Sequence, residues 1–162
     1  MEVNIKYRLS ETPDLGRIRE LLSAADLPVD DLDEGKVIFV VAMNEKNEII
    51  GCIGVEKLGE EGLLRSMAVD IAYRGKGIAH ELLRRLLSFS CQSGIHTIHL
   101  LTTTAEKFFD RAGFLLVSRS EAPDSIKTTS EFSSLCPASS AYMVMRDIQK
   151  QETYFPTKSS IN

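Results

Sequence analysis

The sequence predicts an α/β (α+β) fold: a mixed seven-stranded sheet flanked by helices, with its fourth and fifth strands parallel. Three observations carry that expectation. Val37–Ala42 is a dense β-branched run. It returns through the polar turn Asn44–Asn47 as Ile49–Glu56, and then as the apolar strand Leu63–Val69, so that three strands form an antiparallel meander. From Gly77 the spacing changes, with Ile78, Leu82, Leu83, Leu86, Leu87 and Phe89 recurring as on one buried face of a helix. Ile95–Leu101 is again a strand. A strand reached from its predecessor through a helix runs parallel to it, by a right-handed crossover.

The other elements follow in order. Asn4–Leu9 alternates and carries β-formers, hence a first strand. Thr12-Pro13 has the form of an N-cap followed by a first-turn proline, and Leu15, Ile18, Leu21, Leu22 and Ala25 keep helical spacing until Leu27-Pro28 stops it. Val29–Gly35 is acidic and reads as a short helix or, better, a solvated turn. Ser93-Gly94 closes the long helix, with glycine as its C-cap. Ala105–Ala112 is a short helix ended by Gly113, Phe114–Val117 a sixth strand and Ala141–Met145 a seventh. Ser118–Ser140 is rich in Ser, Thr and Pro, with a helical turn near Pro123 and a break at Leu135-Cys136-Pro137. A loop of that length is either a functional cover or poorly ordered. Residues 1–147 read as one domain and 148–162 as a polar, poorly ordered tail, where Tyr154-Phe155-Pro156 either docks locally or does nothing.

Composition narrows the function. The chain has 162 residues, 43% of them hydrophobic and 26% charged, which suits one ordinary globular domain with a real core. A net charge of −4, without a basic tract or interleaved aromatics, argues against a nucleic-acid partner. No apolar run approaches a membrane span, and Met1–Arg8 lacks the apolar core of a signal peptide. Cys52, Cys91 and Cys136 are widely spaced with no CxxC pair, and His80, His96 and His99 lack ligand spacing. Neither a disulfide scaffold nor a metal site is expected, and the reducing cytoplasm is the expected compartment.

The densest chemical signal is Leu63 to Ala79, where a strand ends at Val69 and Arg74-Gly75-Lys76-Gly77 opens the long helix. The first N–H groups of a helix lack intrahelical partners and carry the positive end of its dipole, and glycines let that backbone approach a phosphate. Arg74 and Lys76 add cations suited to a pyrophosphate. On these residues alone an ordinary strand-to-helix turn with solvated charges explains the pattern as well.

The order of elements breaks that tie, because it resembles the GCN5-related N-acetyltransferase (GNAT) fold. That family's pyrophosphate motif, Arg/Gln-x-x-Gly-x-Gly/Ala, reads here Arg74-Gly75-Lys76-Gly77-Ile78-Ala79, at the expected place. A second family signature appears as Ala105, Phe108-Phe109 and Gly113-Phe114. The resemblance covers residues 3–147. A narrower likeness, carried by Leu63–Val69, Leu100–Phe109, Glu131-Phe132 and Leu135–Ser139, is to the arsenic-resistance (ArsN-type) acetyltransferases and, more distantly, to the acetyltransferase domain of N-acetylglutamate synthases.

The resemblance implies a site. Acetyl-CoA would lie where the fourth and fifth strands splay, with backbone groups of Met67, Ala68 and Val69 along its pantetheine arm. The amides of Arg74, Gly75, Lys76, Gly77, Ile78 and Ala79 would hold its pyrophosphate. Thr102 and Phe108 fall at cofactor positions of the family pattern, although Phe108 and Phe114 also read as core. The Val69 N–H would stabilise the oxyanion of the tetrahedral state. The reaction implied is direct attack of a primary amine on the thioester, the amine belonging to a small acidic amino acid or a toxic analogue of one. Glu56 is the candidate base through a water, or else a strand-end carboxylate facing solvent. Arg65, with Ser66 and Thr103, is assigned to the acceptor. A guanidinium in an apolar strand binds an anionic group of the substrate, pairs with an internal acid such as Glu56, or does both. Ser66, next in the strand, would point to the opposite face. Where many family members carry a tyrosine acid this chain has Phe109, which gives weight to a rival reading as a CoA-binding module without catalysis. Acetylation of a protein N-terminus or lysine is a third. Family members are often dimers, so a homodimer is compatible with the resemblance.

Overall fold

The computed structural model describes residues 4–29, 32, 36–135 and 139–150. Among these the strands β1 (Lys6–Leu9), β2 (Val37–Met43), β3 (Ile49–Leu58), β4 (Glu61–Val69), β5 (Thr97–Thr102), β6 (Leu115–Leu116) and β7 (Ala141–Met145) form one sheet, ordered β1-β2-β3-β4-β5-β7-β6. β4 and β5 are parallel and the other neighbours antiparallel. The helices are α1 (Leu15–Ala24), α2 (Ile78–Gln92), α3 (Glu106–Arg111) and α4 (Asp124–Lys127). The mixed sheet, the parallel pair and the flanking helices are those expected from the sequence. The acidic turn at 30–31 and 33–35, the Cys136-Pro137 break and the tail from 151 lie outside the described residues. Residues 148–150 carry the chain on past β7, with Ile148 buried and the Gln149 amide donating to the carbonyls of Cys91 and Ile95.

Each face of the sheet is covered by elements whose periodicity suits it. Ile78, Leu82, Leu83, Leu86 and Leu87 of α2 pack on Val40, Ala42, Ile53, Val55 and Leu64, with Phe109 and Phe114 extending that core. On the opposite face Ile18, Leu21 and Leu22 of α1 cover Phe39, Val41 and Cys52. Further along that face Ala122 and Ile126, from the segment around α4, cover Leu63, Leu101, Tyr142 and Val144. The Ser/Thr-rich stretch therefore includes an ordered cover over one end of the sheet. Arg119 fastens it, donating to the carbonyls of Ser140 (3.1 Å) and Phe132 (3.5 Å) with its guanidinium 4.8 Å above the Phe132 ring.

One irregularity sets up the rest. Ser66 lies in the left-handed region (φ 61) inside β4, and the register against β3 slips between Cys52 and Gly54. Ser66 and Met67 together oppose Ile53, which is a β-bulge. A one-residue insertion exchanges the faces of everything after it. Leu63 packs with the α4 face, yet Met67 and Val69 pack with the α2 core, and Ala68 joins the α1 core. The Cys52 thiol donates to the Ser66 carbonyl (3.4 Å), and burial pushes its pKa up to about 12, so it serves as a neutral brace for the bulge.

Beneath the cover, His99 sits between Glu61 at its Nε2 and the Tyr142 hydroxyl, 2.7 Å from its Nδ1. Burial lowers the His99 pKa, against the raising effect of Glu61, with Arg146 adding to the lowering. Burial also pushes Tyr142 up to about 12, so Tyr142 donates to Nδ1 and His99 donates to Glu61. A depressed histidine pKa in the folded state contributes stability that is present above the unfolded value of about 6.5 and is lost as pH falls through the folded one. The loss of urea resistance between neutral pH and about pH 5 should therefore shrink in His99→Gln. An equal loss in both proteins would acquit His99.

Candidate active site

β4 and β5 pair only from Glu61 to Leu63, against Thr97 to His99; beyond that β5 pairs with β7 as far as Thr102. The two parallel strands splay apart and leave a cleft. The Asp70 N–H donates to the Ile50 carbonyl, so the backbone at Asp70 faces β3. Backbone groups alternate along a strand, so those of Val69 face the cleft, and the Arg74 Nε donates to the Val69 carbonyl there (2.9 Å). By the same alternation the backbone of Met67 faces the cleft and that of Ala68 faces β3, where it is the register partner of Cys52. The expectation that all three residues offer backbone groups to a ligand is therefore corrected at Ala68, which contributes surface only.

A groove of about 410 Å³ runs from this strand end to the start of α2. Met67, Ala68, Val69, Arg74, Gly75, Gly77, Ile78, Ala79 and Phe108 all line it. Asp70 shapes the connection by accepting from the Ala72 N–H (2.9 Å) and pairing with Arg17 (3.1 Å). Gly75 (φ 79) and Gly77 (φ 81) are left-handed, and a Cβ on either would meet no protein atom within 4 Å. Glycine is required there by backbone conformation, and the space beside it is open. The first α2 bond runs from the Glu81 N–H to the Gly77 carbonyl (3.1 Å), so the amides of Ile78, Ala79 and His80 precede the helical ladder. Backbone donors, a glycine cradle and an open strand edge fit an extended ligand with a pyrophosphate. Lys76 lines a neighbouring hollow with Tyr7 and Glu81, which shares Gly77 and Ile78 with the groove. Tyr73 and His80 line the groove as well, Tyr73 accepting from the Asn44 amide (3.1 Å).

On the other side of Met67 lies a second, smaller cavity of about 180 Å³. Ala25 and Met67 border both spaces. Its polar wall is Arg65, Ser66, Thr102, Thr104 and Glu131. Arg65 is 2% exposed, and its Nε lies 3.1 Å from the Ser66 hydroxyl and 3.3 Å from Glu131. Its Nη1 lies 3.8 Å from Glu56. The internal pairing weighed from the sequence is present, with Glu131 as a partner that sequence reasoning missed. Ser66 is corrected too, because the bulge turns its hydroxyl toward Arg65 instead of the opposite face.

The remaining candidates divide. Thr102 accepts from the Ala105 N–H (2.9 Å), so it fixes the turn that leads into α3 and borders the small cavity rather than the groove. Thr103 is exposed and borders neither space, and Thr104 stands there instead. Glu56 is buried behind Arg65 and does not join the described wall. Phe109 lines the small cavity while packing edge-on against Phe108 and Phe114. Among the described residues no cluster of His, Cys, Asp or Glu could hold a metal ion, and no helix is long and apolar enough to cross a membrane.

Residues 34–115 match the family described as acetyltransferase (GNAT) domain. Over 87 residues, half of this chain, the sequence is 37% identical to the N-acetylaspartate synthetase of Xenopus tropicalis, and the match covers 28% of that protein. The N-acetylglutamate synthase of Neisseria gonorrhoeae, solved with coenzyme A and N-acetyl-glutamate, superposes over 91% of this chain and 36% of its own (TM-score 0.75, 19% identity). Rv2747 from Mycobacterium tuberculosis, in complex with CoA and NLQ, superposes over 87% of this chain and 98% of its own (TM-score 0.73, 22% identity). At these identities the two structures speak for the fold. The chain spans 28% of the synthetase and 36% of the synthase.

Proposed function

The chain belongs to the acetyltransferase (GNAT) family, and on that premise we propose that it moves acetyl from acetyl-CoA to the primary amine of a small acidic amino acid or a toxic analogue of one. The carrying observation is that the groove and the small cavity meet at Met67, with a buried guanidinium in the cavity wall. A thioester laid along β4 reaches an acceptor held by Arg65 at that junction. A space of about 180 Å³ suits a free amino acid better than a peptide segment. Relatives named for N-acetylaspartate and N-acetylglutamate synthesis support the same acceptor class.

The chemistry follows from the cleft. The acceptor's ammonium first gives one proton to solvent, and the lone pair so freed forms the bond from nitrogen to the thioester carbon while charge gathers on the carbonyl oxygen. The Val69 N–H, facing the cleft, is the donor assigned to that oxygen. The carbon–sulfur bond then breaks with its electron pair on sulfur, and the nitrogen sheds its second proton to solvent. Phe109 has no proton to give the thiolate, but a thiol with a pKa near 8.5 leaves without such help and takes its proton from solvent. Glu56, lying behind Arg65, holds the guanidinium in place in this reading. Acetylation removes the charge of the amine, which abolishes recognition of a toxic analogue by its target.

A thiol-release assay with acetyl-CoA and a panel of acidic, neutral and basic amino acids tests the reading. Release restricted to acidic acceptors is expected. No release with any member, alongside tight coenzyme A binding, would instead make the protein a binding module.

A further inference from the structure

We propose that Glu131 receives the amino group of the acceptor while Arg65 takes a carboxylate, so that the two residues together read an amino acid as a zwitterion. The inference rests on the acceptor class proposed above. Among the described residues the carboxylates of Glu56 and Glu131 lie against Arg65, and they differ in what else they face. Glu56 is behind the guanidinium, away from the described wall, whereas Glu131 is part of that wall. Glu131 is 4% exposed, and its Oε1 is 3.3 Å from the Arg65 Nε. A cation and an anion side by side on one wall match a ligand whose carboxylate and amine are neighbours, and hydrogen bonds between charged groups are the strong ones.

The placement of Glu131 is built, not incidental. It opens a turn of π-helix, Glu131–Leu135, a conformation that recurs at functional sites. The turn is held on both sides of the carboxylate. The Thr129 hydroxyl donates to the Ile126 carbonyl (2.7 Å) and accepts from the Phe132 N–H (3.3 Å). The Phe132 ring stands edge-on to Tyr142 with centroids 5.7 Å apart. The carboxylate thus reaches the junction from the cover, while Arg65 reaches it from the sheet. An acceptor held between them lies in the cavity that shares Met67 and Ala25 with the groove.

The test separates reading of the amine from support of Arg65. L-aspartate and L-glutamate serve as acceptors, and succinate and glutarate, which lack the amine, serve as competitive inhibitors. In Glu131→Gln the KM for the amino acids should rise about tenfold or more, while the inhibition constants of the dicarboxylates stay within about twofold. Glu131→Asp, which keeps the charge, should recover part of the loss. Arg65→Lys should weaken amino acids and dicarboxylates alike. If Glu131 merely holds the guanidinium, Glu131→Gln will raise KM and inhibition constants in parallel, and the assignment falls. An unchanged KM also overturns it. Failure of the wild type to acetylate either amino acid overturns the acceptor class and this inference with it. Coenzyme A affinity, measured for every variant, reports that the fold is intact.

Discussion

Arg65→Ala should lower folding stability by about 3–5 kcal/mol, because it leaves the carboxylates of Glu56 and Glu131 buried without the guanidinium between them. On the proposed acceptor class, KM in the folded fraction should rise on the order of a hundredfold, because the proposed contact from Arg65 to the acceptor carboxylate would be lost. Acetyl-CoA affinity should change little, since Arg65 lies outside the groove lining. Urea denaturation, steady-state kinetics and calorimetry with coenzyme A measure the three quantities separately. Arg65→Lys keeps the charge but not the fork, so it should retain more stability than Arg65→Ala while still losing acceptor affinity. An unchanged KM in either variant removes Arg65 from the acceptor site, whatever happens to stability.

Gly77→Val should act on the other ligand. A β-branched residue held at φ 81 costs about 1–3 kcal/mol, and its side chain enters the space beside the free amides of α2. Loss of two charge-assisted contacts to a phosphate corresponds to a fall in acetyl-CoA affinity on the order of a hundredfold. Gly16→Ala is the control, because Gly16 lies within α1 and a Cβ there meets nothing within 4 Å. That change should leave affinity alone and stabilise by about 0.5–1 kcal/mol. If Gly77→Val binds acetyl-CoA as the wild type does, the glycine turn is an ordinary connection and not a phosphate cradle.

How much of this was legible depends on what kind of physics each feature obeys. Period and punctuation are local, so the meander, α2 with its glycine close, and β7 over Ala141–Met145 were all readable. β6 shrinks from the four residues expected to Leu115–Leu116, although the Val117 N–H still donates to the Tyr142 carbonyl (3.0 Å). The bulge had no sequence signal. Serine is an unusual occupant of left-handed backbone, and simple alternation put its hydroxyl on the wrong face. Thr102 was assigned by motif position, whereas side-chain direction is decided by the turn around it. Glu131 was visible only as part of a short likeness, since its meeting with Arg65 spans 66 positions of chain and depends on how the cover folds back. A usable signal was present even so. A buried arginine needs a carboxylate partner, and a Glu-Phe pair in an otherwise Ser/Thr-rich cover was a candidate to supply it.

The splay between β4 and β5 has a consequence for the life of the protein. A sheet ordinarily has its two vulnerable edges at its rims, where they can be kept short or charged. Here a further opening lies in the middle, next to the candidate site, where β4 and β5 part beyond Leu63 and His99, and a strand-like molecule lying along it would close the gap. On the function proposed above the acetyl donor would be a missing piece of the sheet, and any molecule that binds the folded form alone raises stability with its own concentration. On that proposal, resistance to proteases and to misassembly should follow the supply of donor, so that a shortage of acetyl-CoA would cost the protein both its reagent and part of its protection.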